Sequence, residues 1–464
     1  MIRVSLLSGL GHTVFVAAGL LVYVLGTRVG QQRRHPSAAM AWVLGMLTFP
    51  YLTLPLFLFF GTRKFARPER RVRVHALPVP DGAPPWATRL LAGLELAPAV
   101  RNTRVLLHAD GMESLQSLLA TMASARQRLD VCTYVFANDA TGQRIAQALV
   151  QAVQRGVSVR LLVDAMGSMG LPGGMLRGLK RQGVQVRRFM PLLHNPLHGR
   201  INLRNHRKLA VADGQRLWSG GRNLACEYFV DRPGQPAWID LSYEVHGPLA
   251  AQALAQFNTD WRVARGLALR KARRPHSTPG LHAPASGVLA QWLPTGPDHA
   301  DDTVHALLLA AAYHAERRIV AVTPYFVPDQ ALIDAWCLAC RRGVRVSLLV
   351  PARSNHRLAD MARERALREL SAAGAHIWLA PAMVHAKAVL IDDALALVGS
   401  LNLDARSLFL NYEAMTAFYG AQELRWLSQW CAHLIAQAHP YRARRPSWLR
   451  DIAEGVVRSV GFQL

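Results

Sequence analysis

Two segments of the chain carry the same three side chains at the same spacing. Asn205 to Asp213 reads NHRKLAVAD and Val384 to Asp392 reads VHAKAVLID, so His-x-Lys-x4-Asp occurs as His206, Lys208, Asp213 and again as His385, Lys387, Asp392. A glycine turn and an asparagine follow each, as GGRN (Gly220 to Asn223) and GSLN (Gly399 to Asn402). The runs LAVAD and AVLID read as strands, on which residues two apart share a face, so each segment presents one imidazole beside one ammonium. If both segments meet at one spot, two imidazoles, two ammonium groups and the amides of Asn223 and Asn402 surround a tetrahedral phosphoester. One His then attacks phosphorus while the other protonates the leaving oxygen. The lysines and amides hold the non-bridging oxygens, where charges about 4 Å apart are worth roughly 4 kcal/mol at an effective dielectric near 20. A zinc site would want further His, Cys or carboxylate ligands rather than a Lys beside each His, so no metal and no other cofactor is expected.

The two histidines must begin in opposite protonation states, and carboxylates are the usual means of orienting and differentiating imidazoles. Downstream of His206 lies WIDL with Asp240, and downstream of His385 lies NYE with Glu413. These two acids are the expected His-orienting partners. Ser400 offers a hydroxyl for phosphate in the second motif, where the first has Gly221.

The elements that must position these groups are duplicated. ARQRLDVCTYVF (Ala125 to Phe136) lies opposite AERRIVAVTPYF (Ala315 to Phe326), and QRGVSVRLLV (Gln154 to Val163) opposite RRGVRVSLLV (Arg341 to Val350). In each half a helix-period stretch precedes short Val/Leu-rich runs bounded by Gly or Pro, the order of sheets covered by helices. The expectation is an α/β chain of two such lobes about a pseudo-twofold axis, the first over 104–264 and the second over 290–464. A basic and Pro-rich linker is expected over 63–103, and an inter-lobe linker, rich in Arg, Pro, Gly and His, over 265–289.

Fifty-four Lys and Arg against thirty Asp and Glu give a net charge of +24, which points to an anionic partner, nucleic acid or acidic membrane. A chain that is 51% hydrophobic is not disordered as its main state. Five unpatterned cysteines do not suit a disulfide-stapled secreted module. Val4 to Thr27 and Pro36 to Thr62 run without a charged residue, each longer than the roughly 20 residues that cross a bilayer core. A transmembrane helical hairpin over 1–62 is therefore expected, spanning or, given Pro50 and Pro55, re-entrant. Arg3, Arg63, Lys64, Arg67, Arg70, Arg71 and Arg73 flank it outside, against Arg28, Arg33 and Arg34 in the connection, which places the body in the cytoplasm.

The doubled His-x-Lys-x4-Asp motif resembles the phospholipase D superfamily, and the N-terminal hairpin with LVGSLNLDARSLFLNYE (Leu397 to Glu413) is similar to bacterial cardiolipin synthases. The resemblance covers essentially the whole chain. It implies two phospholipase D-like lobes and a multi-pass protein of the bacterial inner membrane. It also implies transfer of a phosphatidyl group between two phospholipids, typically two phosphatidylglycerols giving cardiolipin and glycerol, through a phosphohistidine intermediate. Its functional residues fall on His206, Lys208, Asn223, His385, Lys387 and Asn402, with His206 as nucleophile and His385 as acid. Asp213 and Asp392 join the catalytic set on the resemblance alone; five residues past each Lys, they lie on the opposite strand face and are expected to hold the motif's shape. The GGRN form also resembles cardiolipin synthases that use phosphatidylethanolamine as one substrate.

Arg177 to Lys208 carries nine Lys or Arg and no acid, either a surface that grips anionic headgroups or an ordinary solvated face. Cys337 and Cys340, and Trp426 with Trp430, read as helix packing. Anionic phospholipids and membrane are the expected partners, with no nucleic acid. The competing reading is a phospholipase D-type phosphodiesterase hydrolysing lipid or nucleic acid, which has no need of two apolar spans; a silent membrane scaffold would have lost one of the motifs.

Overall fold

The computed structural model describes residues 2–29, 36–61, 80–191, 202–265 and 286–459. Residues 63–79 of the linker expected over 63–103, residues 266–285 of that expected over 265–289, and residues 192–201 of the basic Arg177–Lys208 stretch lie outside the described residues.

Two open sheets carry the molecule, and their strands run in the same spatial order. The first has seven strands: Arg104–His108, Ser242–His246, Arg216–Gly220, Leu209–Ala212, Arg128–Thr133, Ser158–Asp164 and Gln185–Phe189. The second places Val288–Thr295, Glu413–Phe418, Leu395–Gly399, Ala388–Ile391, Arg318–Val322, Arg345–Pro351 and His376–Ala380 in the corresponding positions, and adds Val100–Asn102 and His439–Pro440 at its edges. In both, the repeated segments seen in the sequence form the adjacent parallel strands, Arg128–Thr133 on Ser158–Asp164 and Arg318–Val322 on Arg345–Pro351. The strand after each His-x-Lys pairs antiparallel to the first of these.

Alternation along the strands divides the core. Leu209 and Val211 turn to a cluster shared with Ala388 and Leu390 of the other lobe, whereas Ala210 and Ala212 face the first lobe's own helices and Val389 and Ile391 the second's. The sheets thus face one another across a common apolar core, with helices on their outer sides. Part of the stretch expected as linker is built into the second lobe. Helix Pro85–Gly93 buries Ala87 and Leu91 there, Trp86 stacks on His314 at 5.0 Å, and Val100–Asn102 pairs with the strand Val288–Thr295.

The N-terminal expectation is corrected. Among the described residues no helix is long and apolar enough to cross a membrane. The second uncharged stretch breaks at Phe49 into helices Pro36–Thr48 and Pro50–Phe60, of 13 and 11 residues, each short of the roughly 20 a crossing needs. Pro50, without an N–H, starts a new helix instead of continuing the old one. The helix Ile2–Val29 packs against both through Tyr23, Met46 and Phe57, a small three-helix cluster in place of a transmembrane hairpin. The multi-pass location in a bacterial inner membrane and the cytoplasmic orientation, which rested on that hairpin, fall with it.

Candidate active site

The two His-x-Lys segments approach each other through reciprocal backbone contacts. Asn205 pairs with Tyr412, and the His206 amide donates to the Tyr412 carbonyl at 2.9 Å; Ile239 pairs with Val384, and the His385 amide donates to the Ile239 carbonyl at 2.7 Å. Each segment therefore lies beside the residue preceding the other lobe's acid. The consequence is a crossed arrangement. Glu413, from the second lobe, sits 3.0 Å from Nδ1 of His206 in the first; Asp240, from the first, sits 2.7 Å from Nδ1 of His385 in the second. With Nδ1–H donated to a carboxylate, each imidazole keeps Nε2 for chemistry.

All six side chains are buried: His206, Lys208, Asp240, His385, Lys387 and Glu413. Lys208 Nζ donates to the His206 carbonyl at 2.7 Å, and Lys387 Nζ lies 2.8 and 3.1 Å from the ring nitrogens of His385. Burial pushes the His206 imidazole down to about 4, with Glu413 opposing and both lysines adding to the fall. Burial, then Lys387, takes His385 to about 3 against the pull of Asp240. Burial also lowers Lys208 to about 7 and Lys387 to about 8, although Glu413 and Asp240 favour their charged forms. Burial would raise Asp240, but His385, Lys387 and Arg222 outweigh it and hold the carboxyl at about 2. Glu413 is likewise lowered against burial, by His206, Lys208 and the Ser400 hydroxyl. Near neutral pH the site thus sets two carboxylates against two neutral imidazoles, with both lysines held to their charge less firmly than an exposed ammonium.

The remaining expected site residues stand behind this centre. Ser400 Oγ donates to Glu413 at 2.6 Å and accepts from the Ala414 amide at 3.0 Å, so its hydroxyl is committed to the acid rather than offered to phosphate. At the matching position, a Cβ on Gly221 would lie 2.2 Å from Asp240 Oδ1. The glycine leaves room for the shorter acid, whose carboxylate comes closer to the backbone. Asn223 donates to the Tyr228 hydroxyl at 2.8 Å and accepts from the Val135 amide, and the Asn402 amide bonds Asp404 while its buried Oδ1 has no hydrogen-bond partner among the described residues.

Asp213 and Asp392 lie beyond the strands Leu209–Ala212 and Ala388–Ile391, away from the histidines. Each has a left-handed backbone, φ of 52° and 49°, and each carboxylate accepts three backbone amides, from Arg126, Gln127 and Arg128 and from Glu316, Arg317 and Arg318. They pin the chain entering the neighbouring strand, and the hydrogen bonds hold Asp213 below the ordinary carboxylate range although burial opposes them.

Sequence reasoning missed the aromatic walls and two arginines. Tyr134 stands edge-on to His206 at 4.9 Å, Tyr228 edge-on to His385 at 5.0 Å, and Trp238 lies 5.5 Å from His385. Tyr134 falls in the repeated segment and Trp238 in the WIDL that supplies Asp240, so proximity in sequence was the available signal. Arg207 and Arg222, wholly buried, sit inside the two first-lobe motifs, where Ala386 and Leu401 stand in the second.

The comparisons with known proteins agree with the duplication. The family model described as cardiolipin synthase, PLD-like domain, matches residues 118–261 and again 308–435, once in each lobe. Cardiolipin synthase A of Pseudomonas aeruginosa is 33% identical over 434 residues, covering 88% of this chain and 85% of that protein. The protein of the same name from Pseudomonas entomophila is 32% identical over 428 residues, covering 88% and 86%. Phosphatidylserine synthase of Haemophilus influenzae, a crystal structure, matches with a TM-score of 0.62 at 14% identity, over 82% of this chain and all of that one, a likeness of fold alone.

Proposed function

Since the chain belongs to the cardiolipin synthase family of phospholipase D-like proteins, we propose that it is a phosphatidyltransferase that makes cardiolipin from two phospholipids, with phosphatidylglycerol as donor and acceptor and glycerol as the released alcohol. The observation that carries the reading is the crossed pair of imidazole–carboxylate contacts, 3.0 and 2.7 Å, with a lysine beside each imidazole.

Charge balance supplies the unequal histidines that the chemistry needs. A bound phosphodiester adds one negative charge to those of Asp240 and Glu413. Two ammonium groups and one imidazolium neutralise the three, so substrate entry favours both charged lysines and one charged His; burial lowers both imidazoles alike, and the choice of His385 as the acid and His206 as the nucleophile follows the superfamily resemblance. In the first step His206 Nε2 attacks phosphorus, its Nδ1–H held by Glu413. The P–O bond to the glycerol headgroup breaks, and that oxygen takes the proton from His385 Nε2. His385, now neutral and still held by Asp240, then removes the proton from the hydroxyl of a second phosphatidylglycerol. That oxygen attacks phosphorus and displaces His206. The lysines stabilise the charge on the non-bridging oxygens throughout. Asp213 and Asp392 take no part in bond making and serve the shape of the motif.

The aromatic side chains of Tyr134, Tyr228 and Trp238 close on the imidazoles and limit access of disordered water, which favours a lipid hydroxyl over hydrolysis. Labelled phosphatidylglycerol in bilayers tests the reading. Cardiolipin and free glycerol are expected, with added glycerol driving the reaction back. Phosphatidic acid as the main product, unresponsive to glycerol, would make the protein a hydrolase.

A further inference from the structure

Arg207 lies between the two side chains that face the phosphorus, and the alternation that sends His206 and Lys208 one way sends Arg207 the other, to the side of Leu209 and Val211 and hence to the opposing lobe. Its guanidinium is fully buried. Nε donates to the Glu413 carbonyl at 2.9 Å, Nη1 to Asp260 at 2.5 Å, and Nη2 to the Thr295 carbonyl at 3.0 Å and to Asp298 at 3.3 Å. Its centre lies 5.3 Å from that of the Tyr412 ring, and Tyr412 is the residue whose carbonyl receives the His206 amide. Asp260 is shared in turn with Asn205 Nδ2 at 3.0 Å and Gln256, which also reaches Asp298 at 2.9 Å. One first-lobe arginine therefore grips the second lobe through Thr295, Asp298 and the backbone of Glu413, and is anchored in its own lobe by Asp260. The second motif has nothing similar, because Ala386 occupies the position.

We propose that Arg207 is a positioning residue that sets the distance between Glu413 and His206 across the lobe interface, making the first imidazole–carboxylate pair dependent on a buried clamp that the second pair lacks. The proposal rests on the phosphatidyltransferase reading only for its kinetic readout. A planar fork with five donors meets this set of acceptors in a fixed geometry, and an ammonium cannot. Lysine at this position keeps the charge and loses the geometry.

The groups facing His206 are Glu413, Lys208 and Lys387, with Tyr134 edge-on. Those facing Arg207 are Asp260 and Asp298, the latter beside His299 at 3.5 Å, and the Cys132 thiol donates to the Arg207 carbonyl. Of these, Glu413 alone is an acid against His206, so loosening it removes the charged partner of Nδ1 and leaves that nitrogen the Ser400 carbonyl at 3.1 Å. The titration of His206 then moves to lower pH.

The test uses the full chain with Arg207→Lys, Glu413→Gln and the double variant. Expected are a fall in kcat of roughly 100-fold for R207K, the scale of a misplacement of about 1 Å, with KM little changed, and an additional effect of E413Q in the R207K background much smaller than in wild type. Nitrogen-15 NMR of the histidine side chains from about pH 3 to 7, with the His206 signal assigned by His206→Ala, reads the same imidazole without substrate and should show its titration displaced downward in R207K. A folded R207K whose His206 profile is unmoved and whose effect adds to that of E413Q makes Arg207 a structural residue only and overturns the proposal. If R207K does not fold, Asp298→Asn, which removes one peripheral arm, carries the test with the same displacement expected, and an unmoved profile overturns the proposal there. A wild-type chain that transfers no phosphatidyl group refutes the transferase reading, while the His206 titration profiles still decide the clamp.

Discussion

Gly221→Ala puts one methyl group against the acid that holds His385. The Cβ would stand 2.2 Å from Asp240 Oδ1, 3.0 Å from Cγ and 3.1 Å from Oδ2. Non-bonded heavy atoms settle at roughly 3.5 Å, so the carboxylate must retreat by about 1 Å. It has little freedom to do so, because it is fully buried and Oδ1 already accepts the Leu241 amide at 2.7 Å. A retreat of that size takes the 2.7 Å contact with His385 Nδ1 out of hydrogen-bonding range. Misplacing a catalytic group by about 1 Å costs roughly 100-fold in rate, or about 2.7 kcal/mol. Initial rates of phosphatidyl transfer, with thermal unfolding as the control for folding, measure the effect. Gly221→Ser should be as poor, although it makes the first motif match the second, and Gly221→Ala should add little to Asp240→Ala. A Gly221→Ala enzyme within about threefold of wild type would refute the steric argument.

Further outcomes follow from the same geometry. Ser400→Ala removes the 2.6 Å bond to Glu413; a hydrogen bond to a charged group is worth about 1.5–3 kcal/mol, so the rate should fall about 10- to 100-fold, and an unchanged rate would return the hydroxyl to a minor role. With Lys208 lowered to about 7 and Lys387 to about 8, kcat/KM should fall as pH rises past about 8, since the free enzyme loses the ammonium groups there. Binding of inorganic phosphate at pH 8 should take up protons, measured by calorimetry in buffers of different ionisation enthalpy; no uptake would contradict the charge balance. Asp213→Ala and Asp392→Ala should each lower the melting temperature by removing three backbone hydrogen bonds at a left-handed residue, with Asn milder than Ala because it tolerates that backbone. The folded fraction of each should retain its kcat.

The two His-x-Lys pairs were legible in the sequence because each runs directly into a short strand, Leu209–Ala212 or Ala388–Ile391, and a spacing of two puts its side chains on one face. The repeat of the motif also told that the lobes would match, and they match in strand order. The acids Asp240 and Glu413 could be named from their distance past each motif, but not their crossing: which His meets which acid is decided by lobe packing, through Tyr412 and Ile239. Ser400 was read as a phosphate ligand because a hydroxyl beside a motif looks available, while the structure turns it to Glu413. Arg207 was passed over because its neighbours in sequence explained the motif without it. The N-terminal segments show the opposite error. Counting uncharged residues measures apolar length but not continuity, and Pro50 interrupts the second stretch. The aromatic walls carry no spacing rule at all, since Tyr134, Tyr228 and Trp238 reach the imidazoles from three separate places in the chain.

The central claim is that two histidines, one from each lobe, act on one phosphorus with the first as nucleophile. Phosphatidylglycerol labelled in its phosphate, mixed with enzyme and quenched early, should leave label on a single peptide containing His206. That label should be absent in His206→Ala and still form, slowly, in His385→Ala from a donor with a good leaving group. Label that persists in His206→Ala and disappears in His385→Ala would reverse the roles, and no covalent label under conditions of active turnover would contradict the account.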